Sequence, residues 1–189
     1  MIESNDKLLA PWRVLESELS FQTKWFAIRK YSCEMPTGRL VPSYYVHEAP
    51  DSVMCVCITE EGSVVVERQY RLPMRGISMD YPAGSVEPGE KDLKQVALRE
   101  LREETGFAAD DARHLFTLSK DPAFSIGKMH VFLATNARRV TQEKDKAELV
   151  SVQLLRPFDV LKAVETGEMS CAFCVATTLR LAQLLNWKP

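Results

Sequence analysis

At 189 residues, 46% of them hydrophobic and 26% charged, the chain has a globular composition and enough length to bury a core without covalent staples. Its formal net charge of −2 excludes a basic field able to hold a nucleic-acid backbone, so a polyanionic ligand must meet local arginines or a bridging cation. No apolar run approaches the roughly 20 residues of a membrane span, and the opening MIESNDKLLAPW lacks the basic-then-apolar order of a secretory signal; a cytoplasmic protein with no membrane partner is expected.

In chain order, residues 12–49 read as β structure, with strand-like stretches at 25–35 and 39–48 around the turn Pro36-Thr37-Gly38. Residues 48–52 form the natural boundary, leaving an N-terminal β segment over 1–49 and a main domain over 50–189. A hairpin follows, residues 53–59 and 63–68 flanking Glu60-Glu61-Gly62. Residues 72–89 are rich in Gly and Pro and read as loop, with a short strand near 77–81. Residues 91–105 make the clearest helix, stopped by Gly106. Strand-like stretches at 112–119, 127–135 and 149–155 precede helical patterns at 158–166 and 171–187, separated by Gly167. Strands dominate and helices lie outside them, so the class is α+β, or α/β with a mixed sheet.

Of the five cysteines, Cys55 and Cys57 fall in an apolar strand and Cys171 and Cys174 in a helical pattern. Buried free thiols in a reducing compartment are the plain reading. A four-sulfur zinc site from the two pairs is the alternative, and placement inside regular elements rather than turns argues against it. His47, His114 and His130 show neither metal spacing nor a nucleophile partner, and read as structural or surface residues.

The helix at 91–105 carries the chemistry. At about 100° per residue, Val96, Ala97 and Leu101 share the inner side, while Gln95, Arg99 and Arg102 turn outward. Glu100 and Glu104 fall in the middle of the apolar side and Glu103 on its edge. A run such as Arg99-Glu100-Leu101-Arg102-Glu103-Glu104 is ordinarily a solvated face laced by i,i+4 pairs. Here the periodicity turns two carboxylates inward. Carboxylates ~5 Å apart repel by about 3 kcal/mol at an effective dielectric of 20, and burial adds to this. A divalent cation among them resolves the conflict, and oxygen-only donors favour Mg²⁺ or Mn²⁺ over zinc. Arg99 can brace the cluster from the side.

Gly84-Ser-Val-Glu-Pro-Gly-Glu90 followed by Arg99-Glu100-Leu101-Arg102-Glu103-Glu104-Thr105-Gly106-Phe107 resembles the signature box of the Nudix hydrolases. Eight residues separate Glu90 from Arg99 where the family pattern has seven. The extra residue belongs at the loop-to-helix junction near 91–93, which leaves the glutamate cluster intact and puts a direct role for Glu90 in question. Pro82-Ala83-Gly84, Arg68-Gln69-Tyr70-Arg71, Pro122 placed 16 residues after Gly106, and the β segment before residue 50 are similar to the ADP-ribose pyrophosphatase branch. Asp80 stands where that branch usually has Glu, and Ala123 where it has Gly.

The resemblance implies an α/β/α sandwich with a mixed sheet plus a small N-terminal sheet that serves homodimer formation. It implies that Glu100, Glu103, Glu104 and the Ala83 carbonyl bind Mg²⁺, with Mn²⁺ as a substitute, and that Glu103 and Glu104 are catalytic through that ion. It implies a carboxylate base from a loop after the box: Glu148 matches best by its distance from the following strand, with Glu143 and Asp145 in reserve. Arg71 is either a bidentate clamp on the diphosphate or a strand-end surface arginine; Arg29 is a weaker candidate of the same kind. A nucleobase needs an aromatic side chain to stack on, and Trp25, Phe26 and Tyr45 are available or else belong to core or dimer interface. The implied substrate is ADP-ribose or a related nucleoside diphosphate sugar, cleaved to a nucleoside monophosphate and a sugar phosphate. The alternatives are another Nudix substrate (a dinucleotide, a triphosphate or a coenzyme) and a catalytically silent nucleotide-binding module.

Overall fold

The computed structural model describes residues 9–140 and 149–187. They form two compact units: residues 9–50 with 119–128, and the remainder of the described chain.

The first unit is a three-stranded antiparallel sheet, β1 (Arg13–Gln22), β2 (Ala27–Glu34) and β3 (Leu40–Glu48), in that order. The turn between β2 and β3 is the expected one: Gly38 adopts φ 81° and donates its N–H to the Met35 carbonyl, a conformation that favours glycine. Residues 119–128 return onto β3, where the His47 N–H donates to the Phe124 carbonyl at 2.7 Å and the Ile126 N–H to the His47 carbonyl at 3.2 Å. The His47 ring stacks on Phe124 and meets the edge of Phe26, a structural role.

The second unit holds an eight-stranded mixed sheet. Its path runs β11 (Val150–Leu155), β5 (Val64–Arg71), β4 (Ser52–Thr59), β10 (Lys128–Arg139), β8 (Phe107–Ala108). β6 (Gly76–Asp80) pairs with β5, β7 (Ala83–Ser85) with β4 and β9 (Ala112–Ser119) with β10. β4 and β10 run parallel. Three helices complete the unit: α1 (Leu93–Thr105), α2 (Pro157–Glu165) and α3 (Ala172–Leu184).

Strand alternation splits the apolar residues between the two faces of the sheet. Val53, Cys55, Val65, Phe132 and Ala134 pack with Val96, Ala97 and Leu101 of α1. Met54, Val56, Val64, Val66, Val131 and Leu133 pack with Val160 and Ala163 of α2 and Cys174 and Leu181 of α3. The result is the expected α/β/α sandwich. It also disposes of the four-sulfur zinc alternative, because Cys55 and Cys57 lie in the α1-side core and Cys174 in the opposite one.

Several bounds differ from the sequence pattern for local reasons. α1 starts at Leu93 because Asp92 caps it. α3 starts at Ala172, with Cys171 as the capping position. β5 runs on to Arg71 before a single 3-10 turn at Leu72–Met74. β10 extends to Arg139 through an irregularity between Ala134 and Ala137, where Asn136 takes φ 55°.

Leu101 is fully buried between α1 and the sheet. Leu101→Ala should lower the unfolding free energy by about 2–5 kcal/mol in urea titrations; a loss below about 1 kcal/mol would mean that α1 is not seated as described.

Candidate active site

The start of α1 is fixed by its cap: the Asp92 carboxylate accepts from the Lys94 and Gln95 N–H groups at 3.1 and 3.3 Å. Gly106, at φ 69°, ends the helix by donating its N–H to the Arg102 carbonyl. Between these stops Val96, Ala97, Leu101 and Thr105 are buried while Gln95 and Arg102 are exposed, as the periodicity requires. Glu100, Glu103 and Glu104 are partly buried. Their order follows the helical wheel: the Glu100 side chain is 13% exposed and that of Glu103, on the edge, 44%.

The three-residue strand β7 brings the Pro82-Ala83-Gly84 backbone against this helix, with Ala83 opposite Met54 and Gly84 opposite Val53 in β4. Glu104 Oε2 accepts a hydrogen bond from the Ala83 N–H at 2.8 Å. At Gly84 an added Cβ would lie 2.1 Å from the Glu100 carboxyl carbon. Any side chain there would occupy the space the carboxylate uses, which accounts for glycine at a position without positive φ.

Arg99 binds the cluster together. Its guanidinium lies 3.0 Å from Glu100, 2.8 Å from Glu103 and 3.3 Å from Glu90. Partial burial pulls its pKa down, but Glu100, Glu103 and Glu90 outweigh that and hold it above the ordinary arginine value. Glu90 also accepts the Glu87 N–H at 2.8 Å. The extra residue in the box is therefore absorbed before Leu93, and Glu90 still reaches the cluster, through Arg99. A shallow groove lined by Gln95, Arg99, Arg102, Glu103 and Asp110 runs alongside.

Arg71 ends β5 with its side chain 44% exposed, 3.4 Å from Asp80. Asp80 pairs across the strands with Glu67, which is 1% exposed. Glu67 is marked in the sequence only by being an acid directly after the apolar run Val64-Val65-Val66. Arg29 and Trp25 belong to the N-terminal unit. There Arg29 is engaged by Glu48 at 2.6 and 3.3 Å, and Trp25 is 68% exposed beneath the Lys24 ammonium. Glu148, with Glu143 and Asp145, lies outside the described residues. His130 contacts Asp51 and Thr117, and His114 contacts Thr117, so all three histidines are structural.

The NUDIX domain family matches residues 48–170. This chain is a Nudix protein. Ahead of that match, the nucleoside diphosphate sugar hydrolase N-terminal domain family matches residues 12–47. The ADP-ribose pyrophosphatase of Bacillus subtilis (strain 168) is 30% identical over 159 residues, 83% of this chain and 85% of that protein. The methanol dehydrogenase activator of Bacillus methanolicus is 30% identical over 122 residues, 65% of each chain. A crystal structure of an ADP compounds hydrolase superposes with a TM-score of 0.83 at 23% identity, covering 94% of this chain and 95% of the other, which supports the fold. The chain is an enzyme of the Nudix diphosphatase type.

Nudix hydrolases work with a divalent cation, and the residues present fit one. The carboxylates of Glu100, Glu103 and Glu104 offer only oxygen, which suits a hard cation. The hollow over Gly84 that a Cβ would fill keeps the Glu100 carboxylate against the β7 backbone. The contact seen at Ala83 is through its N–H to Glu104.

Gly84→Ala should separate metal binding from folding, because the added methyl meets the movable end of Glu100 rather than backbone. Mn²⁺ affinity, read from the paramagnetic resonance of the free ion, should fall roughly 10–100-fold with the melting temperature little changed. Unaltered Mn²⁺ affinity would remove Glu100 and Gly84 from the metal site.

Proposed function

We propose that this enzyme hydrolyses the diphosphate bond of ADP-ribose or a related nucleoside diphosphate sugar, giving a nucleoside monophosphate and a sugar phosphate. The observation that carries the chemistry is the carboxylate stripe of α1, with Glu104 anchored on the Ala83 N–H and Glu100 held over Gly84. The substrate class rests on the N-terminal family match at residues 12–47 and on likeness to a pyrophosphatase over most of the chain.

Glu100, Glu103 and Glu104 are the groups to hold Mg²⁺, or Mn²⁺ in its place, with the Ala83 carbonyl added by family resemblance. An ion bound there supplies charge compensation for the diphosphate and acidifies water. Arg71 is positioned by Asp80 and open on its other side, so a diphosphate oxygen can become its bidentate partner. Water attacks one phosphorus, its proton passes to the Glu148 carboxylate, and the bond to the bridging oxygen breaks. Each product is a phosphate monoester. Arg29 is the second candidate for holding the diphosphate, by giving up Glu48, and Trp25 the candidate for stacking on the base.

The N-terminal unit is the proposed homodimer surface. β1 is exposed along its length, with Val14, Leu15, Leu19 and Phe21 each at least 40% exposed, more apolar edge than a lone sheet usually presents. Analytical ultracentrifugation should give twice the chain mass; the mass of one chain at micromolar concentration would remove this part of the proposal.

Three activity measurements bear on the rest. Glu104→Gln keeps an acceptor for the Ala83 N–H but loses the charge. It should retain the fold and lower Mg²⁺-dependent turnover beyond the roughly 10–100-fold that follows loss of a merely supporting group; wild-type turnover would refute the assignment. Glu148→Gln should reduce kcat far more than it changes KM, and an unchanged kcat would pass the base to Glu143 or Asp145. A panel of ADP-ribose, ADP-glucose, GDP-mannose, NADH and deoxynucleoside triphosphates, scored by product, should favour ADP-ribose or another nucleotide sugar. Preference for NADH or triphosphates would shift the substrate class, and tight binding without hydrolysis would indicate a silent module.

A further inference from the structure

On the face of the sheet opposite α1, three reactive side chains meet that hydrolysis does not use together. Cys171 is the capping residue of α3, and Cys174 sits inside its first turn, in the spacing Cys-Ala-Phe-Cys. Their sulfurs and a carboxylate oxygen of Asp80 lie within 4.8 Å of one another. The Cys174 thiol points at Asp80 Oδ1 at 3.6 Å. The two cysteines are unequal: Cys171 is half-buried, whereas Cys174 is 1% exposed.

This arrangement has the parts of a dithiol couple. Residues three apart at the start of an α-helix have Cα atoms about 5 Å apart, inside the range of about 4.4–6.8 Å that a disulfide bridges. A sulfur at a helix N-terminus faces the unpaired N–H groups of the first turn, which favour its thiolate. A buried thiol beside a carboxylate has a proton acceptor at hand.

We propose that Cys171 and Cys174 are a reversible thiol–disulfide exchange site, with Cys171 as attacking sulfur, Cys174 as resolving sulfur and Asp80 positioned to take the Cys174 proton. The oxidant is a low-molecular-weight disulfide. The Cys171 thiolate attacks one of its sulfurs, forming a mixed disulfide and releasing one thiolate. The Cys174 thiol then attacks the Cys171 sulfur, its proton goes to Asp80, and the second thiolate leaves. The pair is oxidised by two electrons and the small disulfide is reduced to two thiols. The titration of the pair runs the same way: the Cys174 thiol, helped by the N–H groups of Cys174 and Phe173 and opposed by burial, lowers Cys171 to about 6. Cys174 is raised by its bond to Cys171 and by burial. Cys55 and Cys57 are fully buried, and burial pushes both thiols up.

The test uses the full-length protein equilibrated with glutathione and glutathione disulfide, acid-quenched, alkylated and read by peptide mass spectrometry over residues 163–180. The expected result is a Cys171–Cys174 disulfide that dithiothreitol reverses, while Cys55 and Cys57 stay reduced. Cys174→Ser should stop at a glutathione adduct on Cys171, and Asp80→Asn should let that adduct accumulate by slowing the second step. Both thiols fully alkylated after oxidation would overturn the proposal, as would a tightly held Zn²⁺ that shields the pair. The wild-type measurement decides the matter even if a variant fails to fold, and it reads no catalytic turnover.

Discussion

Acidic side chains on the inner side of a helix must be given partners, and that constraint organises this structure. Glu100 and Glu104 occupy positions that periodicity assigns to the core, with Glu103 beside them. Protein groups answer part of their charge. Arg99 reaches Glu100, Glu103 and Glu90 at once, and the Ala83 N–H donates to Glu104. The proposed divalent ion would add charge compensation from the open side of these carboxylates. A chain of net charge −2 has no overall field to draw in a diphosphate, so on the proposed function that attraction would come from a bound cation and from Arg71.

The scaffold serves that cluster by leaving little freedom around it. Asp92 and Gly106 fix the two ends of α1. Val96, Ala97 and Leu101 lock its rotation against Val53, Cys55 and Val65, so Glu100 and Glu104 cannot turn toward bulk water without exposing the core. β7 is only three residues long, yet its pairing with β4 sets the Gly84 backbone against Glu100. The substitution-sensitive point of the site is thus a glycine that carries no chemistry of its own.

Much of this was legible in the sequence, because period carries the information. Apolar runs on either side of Glu60-Glu61-Gly62 marked β4 and β5, and the 3.6-residue repeat gave the orientation of α1, including which glutamates turn inward. The Nudix resemblance then supplied the residue roles that the proposed function adopts. What escaped depends on neighbours distant in the chain. β7 is too short to have a period. The return of residues 119–128 onto β3 is made by backbone bonds and ring stacking at His47, for which the sequence has no local sign. The meeting of Asp80 with Cys174, 94 positions away, follows from packing α3 against the sheet. Glu90 is an intermediate case: the count of residues placed its role in question, and the structure recovers a link through Arg99 because a loop, not the helix, takes up the extra residue.

The decisive measurement is anomalous diffraction from crystals of the protein grown with Mn²⁺. The account predicts a strong anomalous peak among the carboxylates of Glu100, Glu103 and Glu104, next to the Ala83–Gly84 backbone. No peak at that position at saturating Mn²⁺, in crystals of active enzyme, would contradict it.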